Sequence, residues 1–334
     1  MKIPAILAAS LTALTAIFSV CSCRGPERVE PQLIFCQKDV ETQRSQESVQ
    51  GTAIWGDLMF SMRNTGLCVV TDLKAASLVS EFRLASSGAQ NHANDAFFGP
   101  GRYCDEDRFP LLYVSQCKSR PVTEIGLPQT DTLSRLCFVE RVLVDSIGRP
   151  AGTQLVQLIS YQPRGYHSRL WVFDRDEPQW VWCYGNTVGN EKEGNRISFR
   201  KFAFPQYDPQ HFLVSLTDDD VVEEFCFDQV LPEGVRGPQD NILQGAAISR
   251  GMLFLPVGLG TPEHPSELFY ADLRHRGRDG VPCRYGVWDY TDVIPCEMED
   301  ADVWDGRLVC TTNSHDLSRP VFAFDHGAFK TYRK

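Results

Sequence analysis

No two of the twelve cysteines in this 334-residue sequence stand as Cys-x-x-Cys, so the spacing of the usual zinc sites is missing and no metal is expected. A basic excess is missing too. Lys and Arg number 33 against 43 Asp and Glu, and the net charge of −10 argues against nucleic acid, whose recognition needs a basic surface to displace counterions. There is no Gly-x-Ser-x-Gly elbow and no P-loop, so neither an activated serine nor a nucleotide-phosphate cradle is on offer, and no cofactor is expected. No amphipathic helix of useful length occurs either, which leaves an all-β fold. The 43% hydrophobic content, with 23% charged residues, is ordinary for a folded domain and gives no sign of disorder.

What is present is a repeat. Gln50-Gly51-Thr52-Ala53-Ile54-Trp55-Gly56-Asp57-Leu58-Met59-Phe60 returns without a gap as Gln244-Gly245-Ala246-Ala247-Ile248-Ser249-Arg250-Gly251-Met252-Leu253-Phe254. Each copy is an apolar run, a Gly-bearing turn and a second apolar run, the pattern of a β-hairpin. A weaker copy starts at Glu299, with Val303 in the place of Ile54 and Gly306 in the place of Gly251, and a fourth start falls at Asn94. Gln50 and Gln244 lie 194 residues apart. That interval divides into four units of about 50 residues, a propeller-type period, and predicts a six-bladed β-propeller, with five or seven blades fitting less well.

Three segments follow. Residues 1–22 read as a signal peptide, with Lys2 ahead of an apolar run; 23–47 as a polar tether; and 48–334 as the propeller. Val20-Cys21-Ser22-Cys23 resembles the bacterial lipobox, and Cys23, which follows the small Ser22, is the expected lipid acceptor. The expected address is the outer membrane, on its periplasmic or cell-surface side, held by a lipid anchor only. Within the tether, Pro31 to Cys36 is a lone strand suited to pairing with the last blade and joining the two ends of the ring. Cys68, Cys137 and Cys226 lie in apolar runs and read as small buried hydrophobes. Cys104 and Cys117 are the first pair to check for a disulfide. Thr217 to Asp220 reads as a hairpin turn rather than a cation site.

Inner strands line a propeller's channel, so equivalent strand starts converge on one mouth. Gln50, Asn94, Gln244 and Glu299 form such a set, joined by His92, Asp95 and Glu297, and all can make directed hydrogen bonds. The same residues can also satisfy each other around a column of ordered water.

The Gln-Gly strand start, the Asn91-His92-Ala93-Asn94-Asp95 stretch and Phe109-Pro110-Leu111-Leu112-Tyr113-Val114-Ser115, all behind a lipobox, resemble the exported six-bladed propeller lipoproteins of Bacteroides-type bacteria. The resemblance implies the fold, the channel lining and a surface role in glycan handling. Two main functions compete. One is a non-catalytic surface protein binding a glycan or other small polar ligand through Gln50, His92, Asn94, Asp95, Gln244 and Glu299, with Trp171 or Trp180 as an exposed platform. The other is a glycosidase or polysaccharide lyase using Asp95 with Glu297 or Glu299 as acid and base. A scaffold with a protein partner in a surface complex is the remaining reading.

Overall fold

The computed structural model describes residues 27–42, 47–89, 92–116, 135–163 and 169–333. The expected signal peptide, Cys21, the lipid acceptor Cys23, Asn91 and Cys117 lie outside these residues. Strand β1 (Gln32–Cys36) comes first, and with the strands that follow it makes up five antiparallel sheets of four core strands. Blade 1 runs in order from β2 (Val49–Trp55) through β3 (Leu58–Arg63) and β4 (Leu67–Asp72) to β5 (Ser77–Arg83). Blade 2 has β6 (Asp95–Phe98), β7 (Leu112–Ser115), β8 (Cys137–Val144) and β9 (Pro150–Tyr161). Blade 3 has β10 (Leu170–Val172), β11 (Trp180–Asn186), β12 (Ile197–Ala203) and, after β13 (Leu213–Leu216), β14 (Val221–Cys226). Blade 4 has β15 (Ala247–Ser249), β16 (Met252–Val257), β17 (Glu267–Asp272) and β18 (Arg284–Asp289), and blade 5 has β19 (Glu297–Trp304), β20 (Arg307–Asn313) and β21 (Pro320–Asp325). The fourth strand of blade 5 is β1, antiparallel to β21. The expected tether thus supplies the strand that joins the two ends of the ring. The short β22 (Tyr332–Arg333) extends blade 4.

The chain is a five-bladed β-propeller, which corrects the favoured count of six. The interval from Gln50 to Gln244 holds three blades rather than four, because two of them are long. Blade 2 carries residues 116–136 between β7 and β8, and blade 3 sends its chain out to β13, which pairs in parallel with β9 of blade 2 before returning as β14. Thr217 to Asp220 is therefore a turn between two sheets, not a hairpin: a 3-10 turn in which Asp220 accepts from the Thr217 amide at 2.7 Å.

Each blade is covered on both faces, and this accounts for the apolar runs. Phe97 packs with Tyr113, Phe173 and Phe204 between blades 2 and 3, while its neighbour Phe98 packs with Phe60 and Phe109 between blades 1 and 2. Successive strand residues point to opposite faces, so a blade sandwiched by two others needs apolar residues at both parities. The described residues form five buried clusters, one at each blade interface, and the last, with Ile54, Met59, Trp304, Val321 and Phe35, closes blade 5 onto blade 1. Trp171 belongs to this packing: at 1% exposure it is core between blades 2 and 3, not a platform. Cys68 and Cys137 are buried as expected, whereas Cys226 is only partly covered, and the described cysteines are free thiols.

Candidate functional site

The repeated motif is a β-bulge at the start of an inner strand. Pairing of β2 with β3 slips between Val49 and Thr52, over Gln50 and Gly51, and pairing of β19 with β20 slips at Glu299. Bulges re-aim side chains and increase local twist. Here they turn Gln50 and Glu299 into the same buried space, at 5% and 1% exposure. The glycine of each Gln-Gly pair fastens one blade to the next. Gly51 donates to the Ala93 carbonyl at 2.5 Å, and Gly245 donates to the Glu299 carbonyl at 2.8 Å. A Cβ at Gly245 would run into the Asp300 carboxylate, so the close approach depends on the missing side chain.

Around this mouth the polar residues form a chain. Gln50 Nε2 lies 3.3 Å from Glu299 Oε1, and Glu299 is in turn hydrogen-bonded to Glu297. Gln244 Nε2 donates to Glu297 Oε1 at 2.5 Å, tying blade 4 to blade 5. Burial first, and the Glu297 charge second, push the Glu299 carboxyl well above the usual carboxylate range. Gln50 Oε1 is buried and accepts from no described residue. Asn94 is buried just before β6, its backbone amide bonded to the Ser115 carbonyl at 3.2 Å. His92 is half-buried and, like Ala93, left-handed in backbone conformation, with φ values of 53° and 26°.

Asp95 has a different setting. Its Oδ2 accepts from the Tyr184 hydroxyl of blade 3 at 2.6 Å, and its carboxylate also takes the amides of Ala96 and of Ala246 in blade 4. It therefore reaches across the ring axis. Asp300 meets it from blade 5 and accepts from the amides of Thr52 and Ala301 at 2.6 and 2.8 Å. Burial is the largest cause raising both carboxyls, and the Asp95 charge raises Asp300 further.

No family model matches the chain, and no curated protein matches it. Among solved structures, the Myxococcus xanthus glutaminyl cyclase is similar at TM-score 0.44 and 13% identity, over 93% of this chain and 100% of that one. The computationally designed Ika8 protein is similar at TM-score 0.35 and 11% identity, over 88% and 99%. Both are too distant to carry an argument.

The structure thus brings Gln50, Gln244, Glu297 and Glu299 into one hydrogen-bonded group, with Asp95 deeper on the axis. Sequence reasoning missed the fifth start, Arg169, which stands one residue before β10, is 5% exposed and donates to Gln162 Oε1 at 3.2 Å. It missed Tyr184 and Asp300 as well. Asp300 was visible in the third repeat copy as an acid where the other two copies carry a small residue, and that was the only signal.

Proposed function

We propose that the chain is a surface-anchored lipoprotein that binds a neutral polar ligand, a glycan being the natural class, where the inner strands start, without catalysing a reaction. The observation that carries this reading is the Gln50 amide. Its oxygen is buried without a donor among the described residues, beside Glu299, whose carboxyl burial pushes well above the usual carboxylate range. A buried acceptor lacking a partner costs free energy until a donor arrives, and a sugar hydroxyl is such a donor. Burial disfavours the charged form of Glu299, which suits hydrogen bonding better than an ionic ligand contact.

The hydrolytic alternative draws on the same carboxyls but has less support. Glu297 and Glu299 touch each other from one strand, whereas a glycosidase needs its pair on either side of the scissile bond, about 5–9.5 Å apart. Asp95 is already occupied by Tyr184 and Ala246.

The test is calorimetric titration of oligosaccharides found on a glycan array, beside hydrolysis assays and thermal melts. Gln50→Leu removes the acceptor while keeping most of the volume, and is expected to weaken a binding glycan by about tenfold, the worth of one hydrogen bond. Unchanged affinity with a large fall in melting temperature would make the polar mouth structural, with ordered water as its partner. The anchor is tested separately: Cys23→Ala should release the protein into the soluble fraction and Cys21→Ala should not.

A further inference from the structure

The far end of the axis, where the inner strands finish, holds a cavity of about 200 Å³. Part of its lining is apolar. Phe97 and Phe173 stack with ring centroids 5.6 Å apart and an interplanar angle of 23°, and Ile248 and Val303 flank them from blades 4 and 5. The rim is charged. Arg250 sits in the left-handed turn between β15 and β16, at φ 53°, and its guanidinium makes no hydrogen bond or ion pair with any described residue. Its Nη2 lies 3.9 Å from where a Cβ on Gly306 would stand, so it spans the mouth from blade 4 to blade 5. Beside it, Asp176 accepts the Arg250 amide on Oδ2 at 2.8 Å, and its Oδ1 takes no donor among the described residues.

The other charged groups of this cavity are committed. Arg175 donates to the Ile54 carbonyl at 2.5 Å and to Asp302 Oδ2 at 2.8 Å. Asp302 also takes the amides of Ile54 and Val303. His326 faces the Ser249 carbonyl at 3.3 Å, and burial, its largest influence, lowers its pKa and keeps it neutral. One cation and one anion therefore stand uncommitted on the same rim, beside the edges of Phe97 and Phe173. A simple anion would meet Asp176 and a simple cation would meet Arg250, each repelled as much as attracted. A compact ligand with both charges a few bonds apart answers both.

We propose that this cavity binds a zwitterionic α-amino acid with an apolar side chain, its carboxylate on Arg250, its ammonium on Asp176 and its side chain over Phe97 and Phe173. The volume suits this class, lying below the about 300–1,000 Å³ of sites for drug-sized ligands. The assignment is independent of the glycan reading, since it concerns the opposite mouth.

The experiment is calorimetric titration of the mature chain with leucine, N-acetyl-leucine, which lacks the ammonium, and leucinamide, which lacks the carboxylate. Leucine should bind, and each derivative should bind at least about tenfold more weakly, given the strength of charge-assisted hydrogen bonds. Arg250→Asn keeps a residue that tolerates the left-handed turn, and Asp176→Asn keeps the acceptor for the Arg250 amide. Each should cost leucine about tenfold, whereas Ile147→Ser, at the exposed turn between β8 and β9, should leave leucine binding unchanged. Absence of leucine binding at millimolar concentration, equal binding of all three ligands, or an equal loss in the Ile147→Ser control would overturn the proposal.

Discussion

Asp95 and Asp300 hold their carboxyls on the propeller axis, out of water. Burial raises the proton affinity of both, and the Asp302 charge adds to the effect on Asp95. In the unfolded chain an Asp titrates near about 3.9, so above that pH the folded state holds protons that the unfolded state has lost. Stability from these groups is complete below the unfolded value and declines as pH rises toward the folded one. Exposed acids such as Asp316, lowered to about 2 chiefly by the Ser318 amide, act oppositely and lose their contribution as pH falls from about 4 toward that value. The melting temperature should therefore be higher at pH 5 than at pH 8, and Asp95→Asn should shrink that difference. An unchanged slope in scanning calorimetry of the variant would show that the axial acids do not govern it. At this scale the sequence was partly legible. Gln50, Gln244 and Glu299 were marked by repetition, whereas Tyr184 lies in an aromatic run where nothing separates a core ring from a hydrogen-bond donor to the axis.

The hairpins were the most legible elements, because their turns need particular residues. Arg250-Gly251 and Asp305-Gly306 both take positive φ at their two central positions, the two-residue turn that matches strand twist. Strand β1 was legible as a strand but not in its fastening. The chain after it places Glu41 between Arg63 of blade 1 and Arg319 of blade 5, both guanidiniums within 2% of full burial. Burial lowers the Arg63 pKa to about 10, so it still carries charge at neutral pH. Glu41→Gln leaves two buried cations without their shared carboxylate and should cost about 3–5 kcal/mol in urea unfolding. Glu30→Gln, which removes an exposed partner of Arg28, should cost less than about 1 kcal/mol. Similar losses in the two variants would mean that the buried triad is not what holds the closing segment.

For the molecule as a whole, the period gave the architecture and misjudged the number of blades. Repetition is counted along the chain, whereas blades close around an axis, and an excursion such as β13 lengthens the first without adding to the second. The parallel pairing of β13 with β9 has no local sequence signal, since its partner lies more than fifty residues away. Ring closure has a mechanical side as well. The N-terminal segment is clipped before it becomes β1: Arg28 bonds Asp292 at 2.6 Å, its guanidinium lies 5.4 Å from the Tyr290 ring centre, and the Tyr290 hydroxyl holds the Val29 carbonyl at 2.9 Å. These contacts are on the connection that leaves β18 of blade 4, whereas β1 itself is a strand of blade 5. Tension applied at residue 27 is therefore taken up by a clamp on one blade before any of it can peel the strand that shuts the ring on the next, much as a cable is strain-relieved ahead of its connector.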